Sequence, residues 1–292
     1  MEKVVILGAN GQLGTELRYQ LQGGYDVVPL AHDALPIEDI DRVKTRIQEL
    51  SPRFVINTAA FHDLGQCEGN PQQSFLINAI ALKWLSEACN MNNARLIHFS
   101  TNYVFGADMN RKRPYQETDL PGPIQIYGLS KLSGEYILSR YCNDYQCFRV
   151  SGIYGARGKT SKARGNFVEM MITLGRKAKA EGKRLPSAND QVLTFTSTME
   201  IARIIEIMMQ REDTGIFHAT CEGYSTRHEF VRTLFEMMGL DVDVHGVPSE
   251  YFKPAYAQPR FSALDNARLK SMNIHMSPWK DALKIYLQQR TE

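Results

Sequence analysis

The chain has 292 residues, 43% apolar and 23% charged, a globular composition that excludes a disordered or fibrous protein. Its 34 Lys and Arg against 32 Asp and Glu leave a formal charge of +2, so no net field draws it to nucleic acid or an anionic membrane. At about 150 residues per domain the length admits one large domain or two modest ones, with enough buried surface to need no staples. The five cysteines (Cys67, Cys89, Cys142, Cys147, Cys221) are odd in number and lack CxxC spacing, which supports neither a disulfide framework nor a zinc site. No apolar run reaches the roughly 18 residues of a membrane span, and the N-terminus enters a strand-like run without a signal-peptide core. Free thiols suit a reducing compartment, so the expectation is a cytoplasmic protein with no membrane or nucleic-acid partner.

In chain order, strands are expected at Val4–Leu7, Asp26–Leu30, Phe54–Asn57, Leu96–Ser100 and Gln146–Val150. Between them lie helical patterns at Gly14–Gln22, Asp39–Leu50, Gln73–Asn90 and Tyr127–Tyr141. Short apolar strands alternating with longer helices predict βαβ units and an α/β, Rossmann-like, doubly wound parallel sheet covered on both faces. Residues 156–165 are rich in Lys, Arg, Gly and Ser and read as a loop. Helical patterns follow at Asn166–Ala180, Met199–Gln210, Arg227–Met238 and Pro278–Gln288, with strands at Gly215–Ala219 and Val242–Val247. The expected division is a dinucleotide-binding domain over 1–150 and a smaller C-terminal α/β substrate lobe over 151–292, some of which returns to the main sheet.

The first strand runs into Gly8-Ala9-Asn10-Gly11-Gln12-Leu13-Gly14, a G-x-x-G-x-x-G turn that opens a helix. Glycines allow the tight turn and close approach of a pyrophosphate, and the helix N-terminus offers it free N–H groups and a positive dipole end. At the end of the second strand Ala31 stands where an acid would hold an adenosine ribose 2′-hydroxyl. Without that acid a 2′-phosphate meets little repulsion, and His32 is placed to assist it. NADPH is the expected cofactor, with NADH use also open.

Tyr127-Gly128-Leu129-Ser130-Lys131 puts a phenol and an ammonium on one helical face, an i,i+4 pair. A nearby cation favours the phenolate and moves its pKa from about 10 toward working pH, so such a tyrosine can exchange a proton with a carbonyl oxygen. Alone, Y-x-x-x-K is common. Here the strand Arg95–Ser100 precedes it and ends at Thr101, a hydroxyl at the carboxyl edge of the sheet, where ligands of open α/β folds bind.

These residues resemble the extended short-chain dehydrogenase/reductases, and within them the dTDP-4-dehydrorhamnose reductase family. The supporting segments run from Gly8–Gly14 through Asn57–Ala60, Asn78-Ala79, Ser100–Phe105, Pro114–Glu117, Tyr127–Glu135 and Arg149–Ser151 to Pro259–Leu264. The resemblance implies a catalytic triad of Thr101, Tyr127 and Lys131 and hydride delivery to C4 of a 4-keto-6-deoxy nucleotide sugar. It implies cofactor contacts from Gly8, Asn10, Gly11, Gln12, Leu13, Gly14, Ala59, Ala60, Asn78, Tyr127 and Lys131. It also implies substrate contacts from Asn102, Tyr103, Val104, Gly152, Asn166, Phe167, Gln191 and Arg260. Monomer and homodimer are both open.

Several positions depart from the family pattern. Asn102 replaces an Asp, Gly152 a substrate-facing Trp, Gly65 an acid after the third strand, Pro36 an Asp near the adenine, and Gln258 an Arg beside Pro259. Arg260 is then the candidate at the pyrophosphate. The loop 156–165 reads equally as a diphosphate clamp or as solvated charge. No HExxH or close His/Asp cluster supports a metal, Mg2+ included. Glu16 matches a position tied to a metal-linked dimer in some family members, but it reads here as a solvated face. His98 and His218 read as core residues, and Trp84 and Trp279 as packing anchors.

Rival readings are a nucleotide-sugar epimerase or 4,6-dehydratase on the same scaffold, and a non-catalytic subunit of the kind that regulates methionine adenosyltransferase. The dehydratase pattern needs Asp and Glu after the threonine, where Asn102 and Tyr103 stand. The missing acid at Ala31 predicts that kcat/KM will be higher with NADPH than with NADH; a strong NADH preference would refute that expectation.

Overall fold

The computed structural model describes residues 1–155 and 166–290. In chain order the first elements are β1 (Lys3–Leu7), α1 (Gln12–Leu21), β2 (Asp26–Leu30), α2 (Ile40–Leu50), β3 (Phe54–Asn57), α3 (Leu64–Gly69), α4 (Pro71–Phe75), a π-helical turn (Leu76–Ile80) and α5 (Ala81–Met91). They are followed by β4 (Arg95–Thr101), a 3₁₀ turn (Asn102–Val104), α6 (Ile126–Tyr141), β5 (Tyr145–Val150) and β6 (Ile153–Tyr154). From residue 166 onward come α7 (Phe167–Ala180), β7 (Leu185–Ala188), β8 (Val192–Leu193), β9 (Thr196–Ser197), α8 (Thr198–Met209), β10 (Gly215–His218) and β11 (Ser225–Thr226). The last elements are α9 (Arg227–Met238), β12 (Val244–Val247), α10 (Ala267–Ser271) and α11 (Trp279–Gln289).

Six strands pair in the order β10-β5-β4-β3-β1-β2, every pairing parallel. β1, β3 and β4 have fully buried interiors, as expected for parallel strands covered on both faces. On one face Leu13, Leu17 and Leu21 of α1 pack with Ile201, Ile204, Ile205 and Met208 of α8; on the other, α2 and α5 cover Val5, Leu7, Val55 and Leu96. The sheet is the Rossmann-like one expected, and β10 comes from beyond residue 150. A separate core gathers Phe230, Phe195, Tyr154, Trp279 and Leu283 under α7, α9 and α11. Beside it, β7 pairs with β12, β8 with β11 and β6 with β9. No helix among the described residues is long and apolar enough to cross a membrane.

Two local expectations change. The helix foreseen at Gln73–Asn90 is broken by the π turn, which carries the buried Asn78. Here the helix widens locally, and Asn78 Oδ1 accepts the Phe61 N–H while its amide protons go to Phe61 O and Ser130 Oγ. Glu16, read as a solvated face, is instead buried at 4% exposure on α1, a helix that packs against α8.

The same turn brings α6 very close: a Cβ on Gly134 would sit 2.3 Å from Asn78 O and 2.8 Å from Leu82 Cδ1. Gly134→Ala is therefore expected to lower stability by about 1–3 kcal/mol in urea denaturation, the cost of overpacking. An unchanged midpoint would mean that α6 does not need this contact.

Candidate active site

The glycine turn joins β1 to α1 through backbone that tolerates no side chain at Gly8 or Gly14. Gly8 has φ +73°, and a Cβ there would lie 2.8 Å from Ala59 N; one on Gly14 would lie 2.6 Å from Gly8 O. Gly11 caps α1 with no side-chain hydrogen bond, so the first-turn N–H groups face outward uncapped. Gln12 Oε1 is buried without a partner at the same turn. This cradle, flanked by the half-buried Ala59 and Ala60 at the end of β3, fits a dinucleotide phosphate. Asn10 is exposed, whereas the Leu13 side chain belongs to the core and leaves only its backbone to face a ligand. Asn78 sits behind the cradle, and both its amide protons are already engaged. At the end of β2, Asp33 accepts the Ala34 N–H and exposed His32 lies 3.3 Å from Glu38.

Thr101 ends β4, and Tyr127 opens α6 directly opposite. Gln125 starts that helix by accepting the Gly128 N–H at 2.6 Å. Gly128 lets the turn press on the 3₁₀ segment, where a Cβ would meet Tyr103 O at 2.1 Å, and the Tyr103 and Tyr127 rings meet edge to face at 6.0 Å. Burial pushes the Tyr127 phenol well above its usual range, opposed by a hydrogen bond with Thr101. This corrects the expectation that the lysine would pull that phenol down, because Lys131 Nζ lies 3.0 Å from His98 Nε2 instead. Lys131 is almost fully buried, and burial lowers it to about 8. His98, read as a plain core residue, thus bridges the site lysine to Asn57, whose Nδ2 is 3.1 Å from His98 Nδ1.

One layer deeper, Arg149 of β5 pairs with Glu135 of α6 at 2.6 Å, and both side chains are inaccessible. Ser100 Oγ also donates to Glu135, and Arg149 approaches His218 Nε2 at 3.4 Å. His218 Nδ1 meets Asp265 O at 3.0 Å, the structural role foreseen for it.

A narrow cleft with about 10 Å³ of open space lies beyond Thr101, lined by Asn102, Tyr103, Gln191, Arg227, Gln258 and Ser262 among others. Arg227 Nε donates to Gln191 Oε1 at 2.8 Å, Gln191 Nε2 to Gln258 Oε1 at 2.6 Å, and Asn102 Nδ2 to Ser262 Oγ at 2.7 Å. Phe167 stacks on Phe195 and lies under the Arg227 guanidinium at 5.3 Å. Three expected substrate contacts fall elsewhere. Val104 is fully buried beside Phe105 and Leu132. Asn166 caps α7, with its amide donating to Gly155 O and Tyr286 Oη. Arg260 turns outward to Glu250 at 3.5 Å. At Gly152 φ is +52° and a Cβ would strike Thr194 O at 2.7 Å, so no side chain reaches the cleft from there. The guanidinium in the cleft is Arg227, which the sequence reading missed. Its signal was a cation in the first turn of a helix, against the local dipole. The basic loop 156–165 lies outside the described residues, and among the described residues no His, Cys, Asp and Glu converge into a metal-ligand group.

Comparison with known proteins agrees with this geometry. The family model described as RmlD substrate binding domain matches residues 1–292. The spore coat polysaccharide biosynthesis protein SpsK of Bacillus subtilis is 33% identical over 293 residues, covering 100% of this chain and 99% of that one. A dTDP-4-dehydrorhamnose reductase of Mycolicibacterium smegmatis is 30% identical, covering 97% of this chain and 84% of the relative. The crystal structure of dTDP-4-dehydrorhamnose reductase from Bacillus anthracis in complex with NADP superposes with a TM-score of 0.91 at 31% identity, covering 99% of both chains.

The buried ion pair under the site has a measurable signature. Arg149→Met leaves the Glu135 carboxylate buried beside Ser100 alone, and a loss of about 3–5 kcal/mol is expected in chemical denaturation. Adding Glu135→Leu should restore most of it. A single variant as stable as the parent would show that the pair does not hold α6 to the sheet.

Proposed function

Since this chain belongs to the RmlD substrate binding domain family, we propose that it reduces the 4-keto group of a 4-keto-6-deoxy nucleotide sugar with NADPH, as in dTDP-4-dehydrorhamnose to dTDP-rhamnose. The observation that carries this reading is the pairing of Thr101 with Tyr127, with Lys131 one turn along the same helix, between the glycine cradle and the cleft. Gly8, Gly11, Gly14 and the N–H groups of α1 would hold the cofactor's pyrophosphate, and Ala59, Ala60 and Lys131 are the residues that would receive its nicotinamide half. The bound cofactor supplies the hydride.

The remaining chemistry belongs to side chains. Burial keeps the Tyr127 phenol protonated, so it enters the reaction as the proton donor to the carbonyl oxygen. The Thr101 hydroxyl sits beside the phenol, orients the same oxygen and hydrogen-bonds the phenolate that remains. Lys131 in its charged form stabilises that phenolate. In the cleft, Arg227 is the cation for the sugar nucleotide's diphosphate, and it is steered by Gln191. Asn102 and Tyr103 border the sugar; neither is an acid, so the Asp and Glu that elimination requires are missing and the site stays a reductase.

Tyr127→Phe is expected to cut NADPH oxidation with a dTDP-4-keto-6-deoxy sugar by about 10²-fold or more, while fluorescence titration shows NADPH binding within a few-fold of the parent. Substantial residual turnover would count against the assignment.

A further inference from the structure

The Asn57–His98–Lys131 chain carries its own proton arithmetic. Asn57 Oδ1 accepts the Ala59 N–H at 3.0 Å, which fixes the amide and turns Nδ2, a donor only, toward His98 Nδ1 at 3.1 Å. His98 Nδ1 must then be the acceptor, and the neutral ring carries its proton on Nε2. That N–H points at Lys131 Nζ, 3.0 Å away. An ammonium has three protons and no lone pair, so it cannot accept. We infer that His98 is a positioning residue: with its tautomer set by Asn57, it donates Nε2–H to Lys131 as an uncharged amine, and protonation of that amine releases it toward Tyr127.

The other titratable and charged groups around the pair are Cys147, which faces His98 across β4 and β5, and Glu135 of α6 with its partner Arg149 of β5; Tyr127 stands one turn before the lysine on the same helix. None offers His98 Nε2 or Lys131 Nζ a hydrogen bond among the described residues. Burial disfavours charge on both partners and brings Lys131 to about 8, in keeping with an amine accessible near neutral pH. Above that pH the lysine is held back by His98; below it, solvent supplies the proton, the two donors part, and the ammonium is free to face the phenolate.

The inference rests on the reading of Lys131 as partner of Tyr127, but its test uses the cofactor-free protein, so the two fail separately. Nitrogen-15 NMR of the wild-type chain should show His98 as the Nε2–H tautomer and Lys131 Nζ titrating near 8. Asn57→Asp presents a second acceptor oxygen to Nδ1, so it should reverse the tautomer and raise the Lys131 midpoint by about one pH unit or more. The alkaline fall of kcat/KM should move with it. A wild-type Nδ1–H tautomer would overturn the inference, even where Asn57→Asp fails to fold. So would a folded Asn57→Asp protein whose tautomer and lysine midpoint match the parent's.

Discussion

An arginine and a glutamate in the middle of the molecule hold its chemistry in place. Arg149 projects from β5 and Glu135 from α6, and the ion pair between them is sealed from water. Two such charges are costly to bury unless every lone pair and proton finds a partner. Ser100 and His218 supply those partners from β4 and β10. Three adjacent strands and one helix thus converge on one ion pair. That convergence decides where the first turn of α6 stands, and with it the distance between Tyr127 and Thr101. The helix cannot slide along the sheet without leaving a buried charge unpaired.

Above the ion pair, neutral polar groups replace charge. Asn78 ties the π turn to the backbone at Phe61 and to Ser130 on α6, and Asn57 ties the end of β3 to His98. Both asparagines lie behind the ligand-facing surface and give it rigidity. A site assembled this way has its geometry before any ligand arrives, which is what transition-state stabilisation by fixed dipoles requires.

Much of this was legible in the residue order because it rests on local rules. Glycine spacing after a strand marks the dinucleotide-type turn, and short continuous apolar runs and period-3.6 patterns mark the strands and most helices. A Tyr and a Lys four apart must share a helix face. What was not legible depends on contacts between distant segments. The π turn is one surplus residue in an otherwise good helix, and only the neighbouring Gly134 and Phe61 reveal it. Burial of Glu16 is a property of the folded molecule that the pattern of its own helix, α1, does not announce. Arg260 and Arg227 are equally plausible cations on paper; a nearby Glu250 claims the first and Gln191 steers the second. The phenol of Tyr127 was expected to sense its lysine, yet burial dominates because the lysine faces His98.

The sheet's last neighbour has a consequence for how the chain is made. β10 closes the edge beside β5, and α8 supplies Ile201, Ile204, Ile205 and Met208 to the apolar face that α1 presents. A nascent chain emerging from the ribosome has therefore written its phosphate turn, Thr101, Tyr127 and Lys131 long before it can bury the helix behind the first or flank the strand behind the others. Until about residue 218 is out, one face of the sheet is covered by α1 without α8 and β5 is an open edge, the state in which partly folded chains are most prone to associate. The C-terminal half of the chain, synthesised last, is also what completes the sheet that the N-terminal half begins.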